Sequence, residues 1–151
     1  MKDNQTIAQF LGITKFPFEL KNEHGYQIYS EDSYGYWTKR EFNTNGNRTY
    51  FENSDGFWSK KQYDANGNET HYETSEGFWI KQEFDANSNE THYETSEGFW
   101  IKREYDTNGN QIYYENSDGC IIDKRPKQVE LTLSEIAEKL NIPVEQLRIK
   151  K

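Results

Sequence analysis

The sequence predicts a mainly β protein. It should be an antiparallel meander of β-hairpin repeats about 21 residues long, forming an elongated twisted sheet with short helical caps at both ends. Three observations lead there. The stretch NETHYETSEGFWIK occurs at 68–81 and again, unchanged, at 89–102. Looking for such internal copies first is sound, because they decide architecture. Glycines recur with the same spacing along the middle of the chain. Hydrophobic residues make up 32% of the 151 residues, below the usual ~45–50%, while aromatic residues reach 16%. A chain so poor in aliphatic residues must build what core it has from Tyr, Phe and Trp. That richness in aromatics also separates it from disordered chains of similar charge.

Three segments follow. Residues 1–17 form an N-terminal helical cap, 18–125 the hairpin repeats, and 126–151 a C-terminal helical segment. In the first, DNQTIAQFLGI reads as a helix capped by Asp3 and stopped by Gly12. Four full units follow, beginning at Gly35, Gly56, Gly77 and Gly98. A half unit from His24 precedes them, and another, GCIIDKR, follows from Gly119. Within a unit, FWSKKQYD (57–64) alternates as a strand should, and ETHYETS (69–75) carries Thr and Tyr at strand-favouring positions. The connectors Asp64–Gly67 and Asn53–Gly56 begin with an Asx and end with Gly. That is the chemistry of a type I turn closed by a left-handed Gly bulge. An Asn-Gly type I′ turn competes with it and would shift the register by one. Ser88 stands where the other units have Gly, at a position that needs positive φ, so local strain is expected there.

The units chain into ten or eleven short strands. Alternation places Phe57, Ser59, Lys61 and Tyr63 on one face and Trp58, Lys60 and Gln62 on the other. Neither face is oily enough for a conventional sandwich. Cross-strand aromatic and ionic ladders must hold the sheet, as a single layer or coiled around one aromatic row. Toward the C-terminus, TLSEIAEKLNI has a capping box, Thr132 with Glu135, and an apolar stripe of Leu133, Ile136, Ala137 and Leu140. Asn141 ends that helix, and Pro143 starts a last turn through Gln146. The two end segments resemble each other, IAQFLGI against IAEKLNI. Both are expected to cover end strands of the sheet.

The formal charge of −8 lies in the repeats. Residues 35–118 sum to −8, residues 1–34 to −2 and residues 119–151 to +2. Direct nucleic-acid binding is thereby disfavoured, since phosphate affinity rests on clustered Lys and Arg. A basic protein surface is the favoured partner. The single cysteine, Cys120, excludes an internal disulfide and reads as a buried thiol in a reducing compartment. With neither an apolar run long enough for a membrane span nor a signal-peptide pattern, a cytoplasmic location is expected, and no membrane partner.

No residues mark an enzyme. His71 and His92 occupy one repeat position and read as copies of a strand residue, and the carboxylates recur with the repeat. Asp64, Asn66 and Asn68 alternate as in calcium loops, but the bidentate Glu and flanking helices are missing. No metal and no cofactor is expected. The segment LSEIAEKLNIPVEQLRI is like the first part of a helix-turn-helix, yet only Arg148, Lys150 and Lys151 follow it, so a cap or small docking helix is the better reading. The most regular feature is a pair of rows: Trp37, Trp58, Trp79 and Trp100 beside Lys39, Lys60, Lys81 and Lys102. Structurally, Trp would cover a neighbouring strand and Lys would pair with a cross-strand Glu such as Glu73 or Glu94. Functionally, the same rows make a ridged aromatic surface that grips a partner.

The unit from Gly98 to Gly119 resembles the YD repeat of Rhs-type proteins in its Tyr-Asp, its following Gly-Asn and its period. Tyr63-Asp64 and Tyr105-Asp106 match the hallmark; Phe84-Asp85 and Phe42-Asn43 depart from it. The large members of that family build a β shell around a toxin, for which this chain is too short. The whole is also similar to small proteins of phages and their hosts. That likeness implies a phage-encoded inhibitor of a host nuclease or defence complex. The expectation is thus a non-enzymatic protein-binding module. Carbohydrate binding through the Trp row and edge-to-edge self-association are its alternatives.

Overall fold

The computed structural model describes residues 5–127 and 130–147. Eleven strands form one antiparallel sheet in sequence order: β1 (Phe18–Lys21), β2 (Gln27–Glu31), β3 (Trp37–Phe42), β4 (Arg48–Asn53), β5 (Trp58–Tyr63), β6 (Glu69–Thr74), β7 (Trp79–Phe84), β8 (Glu90–Thr95), β9 (Trp100–Tyr105), β10 (Gln111–Asn116) and β11 (Ile121–Asp123). The sheet is open, and each inner strand is hydrogen-bonded only to its neighbours in sequence. At about 4.8 Å per strand, ten spacings give a ribbon of roughly 50 Å.

The turns are of the expected kind. Asp64 N–H bonds to Asn68 C=O at 3.0 Å, and Gly67 N–H bonds back to Asp64 C=O at 3.1 Å. Gly67 has φ 89°. This is the type I turn with a glycine bulge, and it sets the register. The Asp64 carboxylate accepts from the Asn66 and Asn68 backbone N–H groups at 2.9 Å each and from Asn68 Nδ2. Its oxygens are thus spent on the turn, which accounts for the alternating oxygens without calcium. Ser88 adopts φ 62°, as expected, and its hydroxyl accepts from Asn68 Nδ2.

A second irregularity is absent from the sequence reading. In β5–β6, Gln62 pairs with His71 but Tyr63 pairs with Glu69, so Thr70 is an extra residue in β6. The same shift recurs at Ile28, Thr49, Thr91 and Ile112. Such bulges bend a strand and increase its twist. They also settle a matter of parity. Pairing across either turn joins residues of like parity, Glu52 with Trp58 and Tyr63 with Glu69. With an odd period, that pairing alone would send Trp58 and Trp79 to opposite faces. The extra Thr70 joins even Lys60 to odd Glu73, and Glu73 then pairs with Trp79. All four tryptophans therefore share one face.

There is no conventional core. Among the described residues no large side chain is fully buried, and the buried apolar set is Ala8, Tyr29 and Ala137. Tyr63 and Tyr105 tie strands together by donating to the carbonyls of Arg48 and Glu90, at 3.1 Å each. The aspartate after each of them caps the turn. Phe42 and Phe84, lacking the hydroxyl, cannot make that bond.

Helix α1 (Ile7–Leu11) starts later than expected. Thr6, not Asp3, is the N-cap, in a capping box with Gln9, and Asp3 lies outside the described residues. Gly12 closes the helix at φ 68°. The helix is pinned to the sheet by buried Glu31, which accepts from Thr6 Oγ1 at 2.7 Å, Ala8 N–H at 3.2 Å and Tyr29 Oη at 2.8 Å. Helix α2 (Leu133–Leu140) has the Thr132–Glu135 box and ends at Asn141, as expected, before a 3₁₀ turn at Val144–Gln146. At this end the expected cover is not seen: α2 packs on the 3₁₀ turn, its Leu133 and Leu140 stay exposed, and Ile121 and Ile122 of β11 remain 59% and 44% exposed. Cys120, expected to be buried, is exposed, because the last strand has no neighbour beyond it. Arg148, Lys150 and Lys151 lie outside the described residues. No described helix is long and apolar enough to cross a membrane.

Candidate binding face

Strand alternation and register divide the side chains into two dissimilar faces. The tryptophan face carries Trp37, Trp58, Trp79 and Trp100 with Lys39, Lys60, Lys81 and Lys102. Cross-strand pairing assembles them into repeated rows. One runs Glu41, Tyr50, Lys60, Glu73, Trp79. The next runs Gln62, His71, Lys81, Glu94, Trp100. A third runs Glu83, His92, Lys102, Glu115, Ile121. All ten residues singled out from sequence, Glu73 and Glu94 included, are thereby brought onto one face.

Their partnerships are less uniform than the sequence suggests. Lys60 makes the expected cross-strand ion pair, with Glu73 at 3.3 Å, but Lys39 pairs with Glu41 of its own strand at 3.2 Å. Three of the four lysine ammonium groups, that of Lys60 included, lie over the tryptophan two residues earlier: Lys60 over Trp58 at 4.7 Å, Lys81 over Trp79 at 4.9 Å and Lys102 over Trp100 at 5.2 Å from the ring centroids, while Lys39 lies over Tyr50 at 5.4 Å. Such cation–π contacts at exposed sites contribute about 0.5–1 kcal/mol each. Trp37 stacks on Tyr29 at 6.2 Å. The rings are therefore already lidded, and a sugar or base could stack only by displacing a lysine.

The histidines gain a role that sequence reasoning did not assign them. His71 Nε2 lies 3.6 Å from Glu73 Oε2, and His92 Nε2 lies 3.7 Å from Glu94 Oε2. Each also pairs across strands with a lysine, Lys81 or Lys102. Shallow repeat-related clefts form beside them, lined by Gln62, Thr70, His71, Lys81 and Glu83 in one case and by Glu83, Thr91, His92, Lys102 and Glu104 in the other. The bulge threonine sits in each cleft. The missed signal was the odd repeat length.

Carboxylates outnumber lysines on this face. Glu41, Glu52, Glu73, Glu83, Glu94, Glu104 and Glu115 flank the four lysines along the rows. Burial and the neighbouring Glu52 raise the Tyr50 phenol above its ordinary value. A hydrogen bond to Glu115, at 2.9 Å, raises that of Tyr113.

On the opposite, phenylalanine face Arg40, Arg48, Lys61 and Arg103 outnumber Glu69 and Glu90, and Arg40 and Arg48 lie over the Phe51 ring. The bulge turns Glu69 onto that face, where Lys61 binds Glu69 at 2.6 Å. Arg103 pairs there with Glu90, and Arg40 donates to Gln27 at 2.7 Å. Between these pairs lie Phe51 against Phe57, Tyr72 against Phe78 and Tyr93 against Phe99, with ring centroids 6.2–6.4 Å apart.

No family model and no curated protein matches the chain. Among solved structures it is similar to the crystal structure of TcdB2-TccC3-TEV, with a TM-score of 0.51 and 13% identity over 75% of this chain and 6% of that one. It is also similar to the Photorhabdus luminescens Tc holotoxin pore carrying a mutated TccC3, with a TM-score of 0.49 and 15% identity over 66% of this chain and 5% of that one. The chain thus spans a small fraction of either protein. What it shares with the first is a fold, a repeated antiparallel hairpin sheet.

Proposed function

We propose that the protein is a non-enzymatic binding module whose tryptophan face engages a protein with a basic surface. The observation that supports it is the asymmetry of charge. The excess of carboxylates lies on the face that repeats one row of side chains, while on the other face Arg40, Arg48, Lys61 and Arg103 outnumber Glu69 and Glu90. Complementary potentials of this kind steer encounter and fix register more than they add raw affinity. The hairpin fold shared with the toxin structure fits the YD-type reading of the repeat, but it imports no toxin role.

In its sharper form the module is a phage-encoded inhibitor of a host nuclease or defence complex. Its ladder of carboxylates would occupy a channel built for phosphate. The lidded tryptophans count against the carbohydrate reading, which needs free ring faces. The test is affinity capture from host lysate at about 50 and 200 mM salt, followed by cross-linking of the captured complex. A basic partner, lost at the higher salt and cross-linked to Lys60 or Lys81, is expected. Binding that survives Glu73→Lys with Glu94→Lys, or capture of nucleic acid alone, refutes the reading.

A further inference from the structure

One hairpin breaks the repeat on the phenylalanine face. Two positions eight residues apart face each other across the hairpins there. In β5–β6 they hold Lys61 and Glu69, an ion pair at 2.6 Å, and in β7–β8 Gln82 and Glu90, a hydrogen bond at 2.8 Å. In β3–β4 the same positions hold Arg40 and Arg48. Two like charges stand where the neighbouring hairpins have a bonded pair, an arrangement that destabilises a sheet. The residue corresponding to Arg48 is Gln27, Glu69, Glu90 or Gln111 elsewhere in the repeat, so the sign is inverted at this one place.

Nothing in the chain answers that charge. Arg40 turns away from Arg48 to donate to Gln27 at 2.7 Å, and Lys61, on the next strand, is drawn to Glu69. Among the described residues the Arg48 guanidinium has no hydrogen-bond acceptor and no carboxylate; its Cζ lies 5.2 Å from the Phe51 ring centroid, and Arg40 Cζ lies 5.7 Å from the same centroid. A ring face attracts the charge but supplies no acceptor to the fork of N–H donors. All three cations are half-buried, so water answers them only in part.

Arg40, Arg48 and Lys61 stand on three successive strands, about 10 Å from first to last. Beyond them the positive excess stops, at Gln27 on one side and at Glu69 and Glu90 on the other. The edge strand β1 adds one charge of each sign, Glu19 and Lys21. So short a cationic locus is no track for a nucleic-acid strand. It has the extent of a single phosphate group, whose oxygens the planar arginine fork matches two at a time.

We propose that Arg48, flanked by Arg40 and Lys61, binds a phosphate group, either inorganic phosphate or the phosphate of a monoester. The anion takes the place that a carboxylate of the chain itself holds in the next two units. The site lies on the face that the functional reading leaves free, so either can fail without the other.

Isothermal titration calorimetry on the full chain tests this, with sodium phosphate compared against chloride at equal ionic strength. Saturable binding at one site is expected. Arg48→Gln should weaken it roughly 10- to 100-fold, the contribution of charge-assisted bonds from one side chain. Arg103→Gln, on the same face but ion-paired with Glu90, should leave it unchanged. Arg48→Glu, which gives this hairpin the residue of its neighbours, should abolish binding and raise the melting temperature measured without phosphate. A phosphoserine peptide and a nucleoside monophosphate distinguish the sources. Whichever binds more tightly than inorganic phosphate identifies the monoester, and if neither does, the free ion is the ligand. No saturable phosphate binding overturns the proposal. So does binding that Arg48→Glu leaves intact, or affinity for a single-stranded oligonucleotide with none for phosphate.

Discussion

Replacing Glu31 by Ala should free helix α1 while leaving the rest of the sheet standing. Glu31 is 3% exposed and accepts from three donors, of which Tyr29 is itself only 5% exposed. Without the carboxylate, Thr6 and Ala8 can turn to water at the helix end, but the Tyr29 hydroxyl stays enclosed without a partner. A buried group left unsatisfied costs about 1–3 kcal/mol, and bonds to a charged acceptor contribute about 1.5–3 kcal/mol each. Relief of the buried charge offsets part of this, so a local loss of about 2–3 kcal/mol is expected. At 1.36 kcal/mol per tenfold, amide exchange in residues 7–11 and in β2 should quicken about 30- to 150-fold. Because each strand touches only its neighbours, β6–β9 should be unchanged. Hydrogen exchange read by mass spectrometry resolves the two regions. Uniform acceleration along the chain, or none at residues 7–11, would refute the reasoning.

Deleting Thr70 should remove the bulge without changing any pairing, because Glu69 then directly precedes His71, still opposite Tyr63 and beside Lys61, and an even step keeps Trp58 and Trp79 on one face unaided. Urea midpoints should therefore change little for the deletion, as for Thr70→Ala, each costing under about 1 kcal/mol, and a collapse of stability on deletion would refute the parity argument. Ser88→Gly should stabilise by about 0.5 kcal/mol, relief of the φ 62° backbone outweighing one exposed hydrogen bond, and thermal melting should rise by about 1–2 °C. Stability should decline at both ends of the pH scale. Hydrogen bonds from Asn68, Asn89 and Asn110 hold Asp64, Asp85 and Asp106 below the usual carboxylate value, so what they contribute is present above pH 3.8 and lost as pH falls through their folded values. Burial, with Glu31 beside it, pushes Tyr29 from 10.0 to about 12, so its contribution is complete below pH 10 and lost between about 10 and 12. Equilibrium unfolding at pH 3, 7 and 11 checks both signs.

Much of this fold was legible because it is built from local signals. The Asx-to-Gly turns named their own geometry, Ser88 announced its strain, and Thr132 with Glu135 marked the start of α2. Features set by distant contacts were not legible. Asp3 is a good cap by composition, yet Thr6 won because its hydroxyl reaches Glu31, twenty-five residues away. Cys120 looked buried because free cysteines usually are. It is exposed because the sheet ends beside it. The ten candidate residues fell on one face as their spacing suggested, but the choice of Trp rather than Glu as partner for Lys81 and Lys102 depends on side-chain geometry that no spacing reveals.

The bulge residues have a consequence for how such a chain can change length. One extra residue per hairpin pair restores the phase that an odd period would lose, so inserting or removing a whole unit leaves every remaining side chain on its original side. Strands that bond only to the next in line do not register the change. The ribbon can therefore grow or shrink in steps of about 10 Å, two strand spacings, with no compensating substitution anywhere else. The identical copies at 68–81 and 89–102 stand one such unit apart. Reach becomes a heritable quantity counted in whole units, adjustable without redesigning the surface that each unit presents.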